Sequence, residues 1–142
     1  MNDVEQLKEK ITELKKKLNA IIVAHNYQRP EVQDMADFTG DSLELARRCA
    51  AVEAETIVFC GVRFMAETAA ILNPSSTVLL SHPDAGCPLA DMINIETLRQ
   101  WKARYPKAAV VAYVNTTAAI KAESGFCWTS ANGAKVVNAV PN

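Results

Sequence analysis

The stretch IIVAHNYQRPEVQDMADFTGDSLELARR, Ile21 to Arg48, runs an apolar segment straight into His25, Asn26 and Tyr27, then through a polar turn to Asp41 and Ser42. An imidazole exchanges protons near neutral pH, and a phenol or hydroxyl both donates and accepts hydrogen bonds. In extended chain, residues two apart share a face, so His25 and Tyr27 point the same way. The pattern occurs again. IIVAHNY and AVVAYVN begin 88 positions apart, and the offset pairs Ala24 with Ala112, His25 with Tyr113, Tyr27 with Asn115 and Ser42 with Ser130. Each residue alone has an ordinary reading: a structural histidine, a helix N-cap serine, an Asx turn at Asn115. Recurrence at one offset favours a set that converges on a ligand. The start of the helix at Ser42 also offers free N–H groups to an anion, although the Asp41 carboxylate beside it would repel one.

The four cysteines, Cys49, Cys60, Cys87 and Cys127, lie too far apart in sequence for a CxxC device. Cys49 falls in a helical pattern, Cys60 ends an apolar strand, and Cys127 lies in GFCWTS between two helices. All three are expected to pack as small buried hydrophobes. Cys87 differs, because Pro83, Gly86 and Pro88 place it in a loop where its sulfur is reachable.

Positioning these groups requires a scaffold. Val4, Leu7, Ile11, Leu14 and Leu18 recur at three and four, which predicts an amphipathic helix ending near Asn19. Short apolar runs predict strands at 20–24, 56–60, 77–81 and 109–113, with helices over 43–52, 64–72, 95–105, 117–123 and 132–140. Alternating strands and helices of this kind build a parallel sheet covered on both faces, an α/β three-layer αβα sandwich. His25, Tyr27, Tyr113 and Asn115 then leave the carboxyl ends of parallel strands, where open α/β folds bind ligands. The loop of Cys87 leaves the same edge.

Composition removes several function classes. Fifteen Lys and Arg balance sixteen Asp and Glu, so nothing electrostatic favours nucleic acid or an anionic membrane. No apolar run approaches the roughly 18 residues of a membrane span, and the amino terminus is a helix pattern rather than a signal peptide. A cytoplasmic protein with reduced thiols is expected.

The segments AHNYQRPEVQDMADFTGDSLELAR, VFCGVRFMAETAAILNP, AGCPLADM and VVAYVNTTAAIKAES…TSANGAKVV resemble quinolinate synthase, the iron–sulfur enzyme family of NAD biosynthesis. The resemblance covers nearly all of the chain from Asn19 onward. It implies a pseudo-threefold fold of similar αβα units, here the first unit and the start of the second. The implied reaction condenses iminoaspartate with dihydroxyacetone phosphate, losing phosphate and two waters. It also implies a [4Fe–4S] cluster on three cysteines, with one iron open to substrate. Cys87 matches the first ligand motif. His25, Ser42, Tyr113, Val114, Asn115 and Ser130 match substrate-contacting positions, Val114 through its backbone. His25 and Tyr27 match positions suited to proton transfer.

The family continues for about as many residues again, and the other two cluster cysteines lie in that part. The expectation is therefore a first unit over 1–106 with the amino-terminal helix, and an incomplete second unit over 107–142 holding a single strand. It follows that 109–142 is less stable than the rest and prone to self-association, unless the carboxy-terminal portion is supplied by another chain. A non-catalytic dicarboxylate- or phosphate-binding module and an inactive truncated product are the alternatives to the enzyme.

Overall fold

The structure is a computed structural model that describes residues 3–141; Met1, Asn2 and Asn142, at the limits of the expected domains, lie outside the described residues. It contains two compact units, Met1–Ala85 and Gly86–Asn142.

The first unit opens with α1 (Asp3–Lys17), acidic in its first turn and lysine-rich in its last, which suits the helix dipole. Asn19, at φ 43°, ends it in the left-handed region that asparagine tolerates. The Asn19 carbonyl then accepts the N–H groups of Glu55 and Thr56, which anchors the start of the sheet. β1 (Ala20–His25), α2 (Pro30–Gln33), β2 (Phe38–Gly40), α3 (Ser42–Ala50), β3 (Thr56–Cys60), α4 (Arg63–Leu72) and β4 (Thr77–Leu80) come next along the chain. The strands are parallel and lie in the order β2-β1-β3-β4.

The period of two divides the sheet residues between its faces. Val23, Ile57 and Phe59 are buried with Leu45 and Cys49 of α3, and α4 buries Phe64, Met65, Ala66 and Ala69. Transfer of a side chain such as Phe59 or Leu45 from water contributes about 1.5–3 kcal/mol. Ile22, Ala24 and Cys60 form a second cluster against Ile11 of α1 and Val32 of α2. Helices thus flank both faces, and the unit is the expected parallel αβα sandwich. Buried Asn73 fastens one end by donating from Nδ2 to the carbonyls of Cys49 and Val52, each at 2.9 Å.

The second unit contains α5 (Ile95–Arg104), β5 (Val111–Tyr113), α6 (Ala118–Ala122), β6 (Phe126–Trp128) and α7 (Gly133–Asn138). Here α5 lies in the same compact unit as α6 and is tied to its end. Arg99 and Lys102 of α5 both pair with Glu123, the residue that closes α6, at 2.9 and 2.8 Å. The single strand expected here is corrected: β5 pairs in parallel with β6.

The 88-residue repeat extends to backbone register. β1 and β2 align Val23 with Phe38 and His25 with Gly40; β5 and β6 align Val111 with Phe126 and Tyr113 with Trp128. Asn26 N–H donates to the Gly40 carbonyl at 3.0 Å, and Val114 N–H to the Trp128 carbonyl at 2.8 Å. Asp37 N–H donates to Ile22 as Gly125 N–H does to Val110. Every one of these pairs differs by 88 from its counterpart.

Candidate functional site

In the first unit, β1 ends at His25, directly opposite Gly40 at the end of β2. The chain then turns through Asp41 into α3, so His25 and Ser42 both sit at the carboxyl edge of the sheet. Odd parity places His25 on the face of Val23, the face that α3 covers. The His25 Nδ1 accepts the Tyr27 N–H at 3.3 Å, which leaves the proton of the neutral ring on Nε2. Tyr27 lies against the same ring, with centroids 3.9 Å apart. Gln33 of α2 fixes the intervening turn by donating to the carbonyls of Asn26 and Gln28. Burial holds the His25 imidazole below its usual 6.5, with the Asp41 carboxylate opposing the shift. A neutral imidazole presenting an Nε2–H donor is the outcome.

The helix starts differ from the sequence expectation. Asp41, not Ser42, caps α3: its Oδ1 accepts from Leu43 N–H at 2.9 Å and Glu44 N–H at 2.8 Å. These amides are the ones an anion would have used, so Asp41 closes that site while releasing the Ser42 hydroxyl from capping. Ser130 is likewise not a cap. The turn before α7 is closed by Asn132, whose Oδ1 accepts from Thr129 N–H at 2.7 Å.

Ser130 instead meets Tyr113. Their hydroxyl oxygens are 3.0 Å apart, so one proton is shared along the contact and the pair retains both donor and acceptor capacity. Trp128, opposite Tyr113 across the strand pair, packs edge-on to the phenol with centroids 4.8 Å apart. The indole needs the glycine at 133, where a Cβ would lie 2.8 Å from its ring. Sequence reasoning missed Trp128; its place 88 residues beyond Gly40, opposite the counterpart of His25, was the available signal. Val114 spends its N–H on Trp128 and accepts from Thr116 N–H at 2.8 Å. Asn115 lines an apolar hollow of about 400 Å³ together with Tyr113 and Thr116. The structure therefore brings His25 to Tyr27 in one unit and Tyr113 to Ser130 in the other.

The cysteines sort by burial. Cys49 is buried and its thiol is pushed up to about 11; Cys60 is buried and raised too, with Ser81 opposing. Cys87 is half-buried in the loop between β4 and α5, where its carbonyl accepts the N–H groups of Ala90 and Asp91. Cys127 corrects the expectation: it is exposed, as the middle residue of the three-residue β6, whose neighbours Phe126 and Trp128 are half-buried on the other face. Among the described residues, no group of three or more His, Cys, Asp or Glu side chains comes together as a metal site. A [4Fe–4S] cluster takes about four ligand positions, and Cys87 is one thiolate. The donor set does not fit the cluster within this chain.

Parallel strands flanked by helices define an α/β protein of the open-sheet class, in which the carboxyl ends of the strands are the usual place for ligands. The family model described as NadA, Quinolinate synthetase A protein, matches residues 9–142, and the chain belongs to that family. It is 64% identical over 140 residues to a quinolinate synthase of Methanoregula boonei, covering 99% of this chain and 46% of the relative. Quinolinate synthases of Thermodesulfovibrio yellowstonii and Aquifex aeolicus are 62% and 53% identical over 94% and 95% of this chain, and 44% and 42% of their own lengths. The chain thus spans a little under half the length of these relatives. Among the described residues, no helix is long and apolar enough to cross a membrane.

Proposed function

We propose that this chain supplies substrate-binding and proton-transfer groups of a quinolinate synthase, which condenses iminoaspartate with dihydroxyacetone phosphate to quinolinate, phosphate and two waters. The observation that carries this reading is the repeated strand-pair geometry, which delivers His25 at one carboxyl edge and the Tyr113–Ser130 pair at its counterpart, in a chain that belongs to the family.

Each group has a chemical task. The neutral His25 donates Nε2–H to a substrate oxygen. It carries a proton as water is lost through the other tautomer, in which Nδ1 is protonated, the Tyr27 N–H contact opens and Nε2 is the acceptor. Tyr27, stacked on that ring, holds it in place and offers a second proton-carrying hydroxyl. Ser42, Ser130, Tyr113 and the Asn115 amide hold carboxylate and phosphate oxygens, with the Val114 carbonyl beside them. Condensation needs its partners oriented, and fixed donors on strand ends provide that orientation without reorganising. In this reading Cys87 is one of three thiolate ligands of a [4Fe–4S] cluster, whose open iron supplies Lewis acidity when bound. The remaining ligands come from the carboxy-terminal portion that the relatives have and this chain does not span. Free thiols accord with a cytoplasmic setting.

The test is a chimera in which these 142 residues replace the corresponding part of the Methanoregula boonei relative, purified without oxygen. It is expected to form quinolinate from the two substrates. His25→Ala and Tyr113→Phe should each lower kcat/KM, the first by roughly 10²-fold or more, with the visible iron–sulfur absorption unchanged. A chimera that holds its cluster and makes no quinolinate, or variants with full activity, would refute the assignment.

A further inference from the structure

Gln33, the last residue of α2, reaches back to the end of β1. Its Nε2 donates to the Asn26 carbonyl at 3.2 Å and to the Gln28 carbonyl at 2.6 Å, so it grips the chain on both sides of Tyr27. The Asn26 carbonyl and the Tyr27 N–H are the two ends of one peptide plane. The N–H end of that plane donates to His25 Nδ1 at 3.3 Å. A side chain of α2 is thus joined to the imidazole through a single rigid group. Tyr27 is 53% exposed, so burial holds little of this turn and hydrogen bonds take its place.

The brace recurs in the second unit. Lys121 of α6 donates from Nζ to the Thr116 carbonyl at 2.9 Å, and these two residues stand 88 positions beyond Gln33 and Gln28. The turns themselves are not alike: Gln28 N–H donates to the His25 carbonyl, whereas Thr116 N–H donates to that of Val114. Each turn therefore has a backbone bond of its own, and a helix side chain reaches back to it all the same. The link to an imidazole has a parallel as well. His82 Nδ1 accepts the Asp84 N–H at 3.2 Å, and the Arg63 guanidinium donates to the carbonyl of Pro83 in the same peptide plane.

We propose that Gln33 is a positioning residue for His25, holding the Tyr27 N–H on Nδ1 and so the ring proton on Nε2. A carbonyl that accepts a hydrogen bond polarises its peptide and strengthens the bond made by the N–H at the other end. With Gln33 in place the Nε2–H donor is set before any substrate arrives, and Tyr27 stays against the ring. The value of this to turnover rests on the role proposed for His25; the tautomer itself does not.

The measurement is the pair of imidazole nitrogen shifts of His25 in the isotope-labelled chain at about pH 8, where the ring is neutral. His82, the other histidine of the chain, is the reference. Gln33→Met keeps the length of the side chain and removes its donors. It should raise the Nδ1–H share of His25 at least about threefold and leave His82 unchanged. Gln33→Lys supplies three N–H donors at the counterpart of Lys121 and should restore the Nε2–H form. In the chimera Gln33→Met should lower kcat/KM by roughly three- to tenfold, with recovery in Gln33→Lys. Unchanged His25 nitrogen shifts in Gln33→Met, or a change that Gln33→Lys does not reverse, would overturn the proposal. So would an equal change at His82, which would make Gln33 a support of the whole unit rather than of one ring. A chimera that makes no quinolinate with Gln33 intact counts against the proposed reaction alone, and the nitrogen shifts still judge the brace.

Discussion

Asp41 carries two tasks that one pair of substitutions separates. Its carboxylate accepts both Leu43 and Glu44 N–H groups at the start of α3, and it opposes the burial that lowers the His25 midpoint. Asp41→Ala removes both effects, and loss of such a cap costs about 0.5–2 kcal/mol. With a urea slope of about 1–2 kcal/mol/M, the unfolding midpoint should fall by roughly 0.3–2 M. Asp41→Asn keeps an oxygen acceptor in the same place and loses only the charge against the helix dipole, about 0.3–1 kcal/mol. Its stability should therefore stay close to that of the unaltered chain. His25 responds to the charge alone. With the carboxylate gone, nothing offsets burial, and the His25 midpoint followed by NMR should drop further below 6.5 in both variants. Because the folded midpoint lies below the unfolded one, the neutral ring's contribution to stability is present in full above pH 6.5. It is lost as pH falls through the folded midpoint, and in Asp41→Asn that loss extends to lower pH. An Asn variant as unstable as the Ala variant, or a His25 midpoint that rises, would refute the reasoning.

Thiol labelling of the native chain should modify Cys127 and Cys87 early and Cys49 last, since Cys49 is buried and its thiol is pushed up to about 11; early modification of Cys49 by mass spectrometry would contradict this ordering. In β5, Val110 and Val114 bond towards β6, so alternation turns the Ala112 N–H to β6 and the Val111 N–H to the edge that carries no strand among the described residues. Val111→Pro should thus leave the β5–β6 pair intact, whereas Ala112→Pro should destroy it. Amide exchange across Phe126–Trp128 reports the difference, and equal loss of protection in both would rule out the register. The same experiment should show β5 and β6 exchanging faster than β1 and β3, which lie between neighbours on both sides.

The elements with long apolar periodicity were legible in the sequence: β1, β3, β4 and the helices α3 to α5 lie within a residue or two of expectation. β2 and β6 were not, because FTG and FCW are three residues long and their pairing is dictated by the neighbouring strand rather than by any pattern of their own. Missing β6 had two consequences: Cys127 was expected to be buried, and the second unit was expected to hold a lone strand. The hydroxyl positions were visible through the repeat, but the capping expected of them does not occur. Asp41 and Asn132 compete for the same turns with better acceptors, and only coordinates show which residue wins. The pairing of α5 with Glu123 is likewise a side-chain contact that strand and helix patterns do not encode.

Gly40 and Trp128 occupy the same register position in two copies of one backbone pattern, and the hydrogen bond made there uses the carbonyl in both. Since the scaffold uses the main chain at that point, the strand pairing is the same whether the position carries a glycine or an indole. In one copy the glycine makes room for the Glu44 side chain, which a Cβ at position 40 would meet at 2.7 Å, and in the other an indole braces a phenol, with Gly133 leaving room for it. The same frame thus presents an imidazole beside a glycine in one unit and a phenol beside an indole in the other, and the residue opposite the last strand position sets which surroundings each polar group meets.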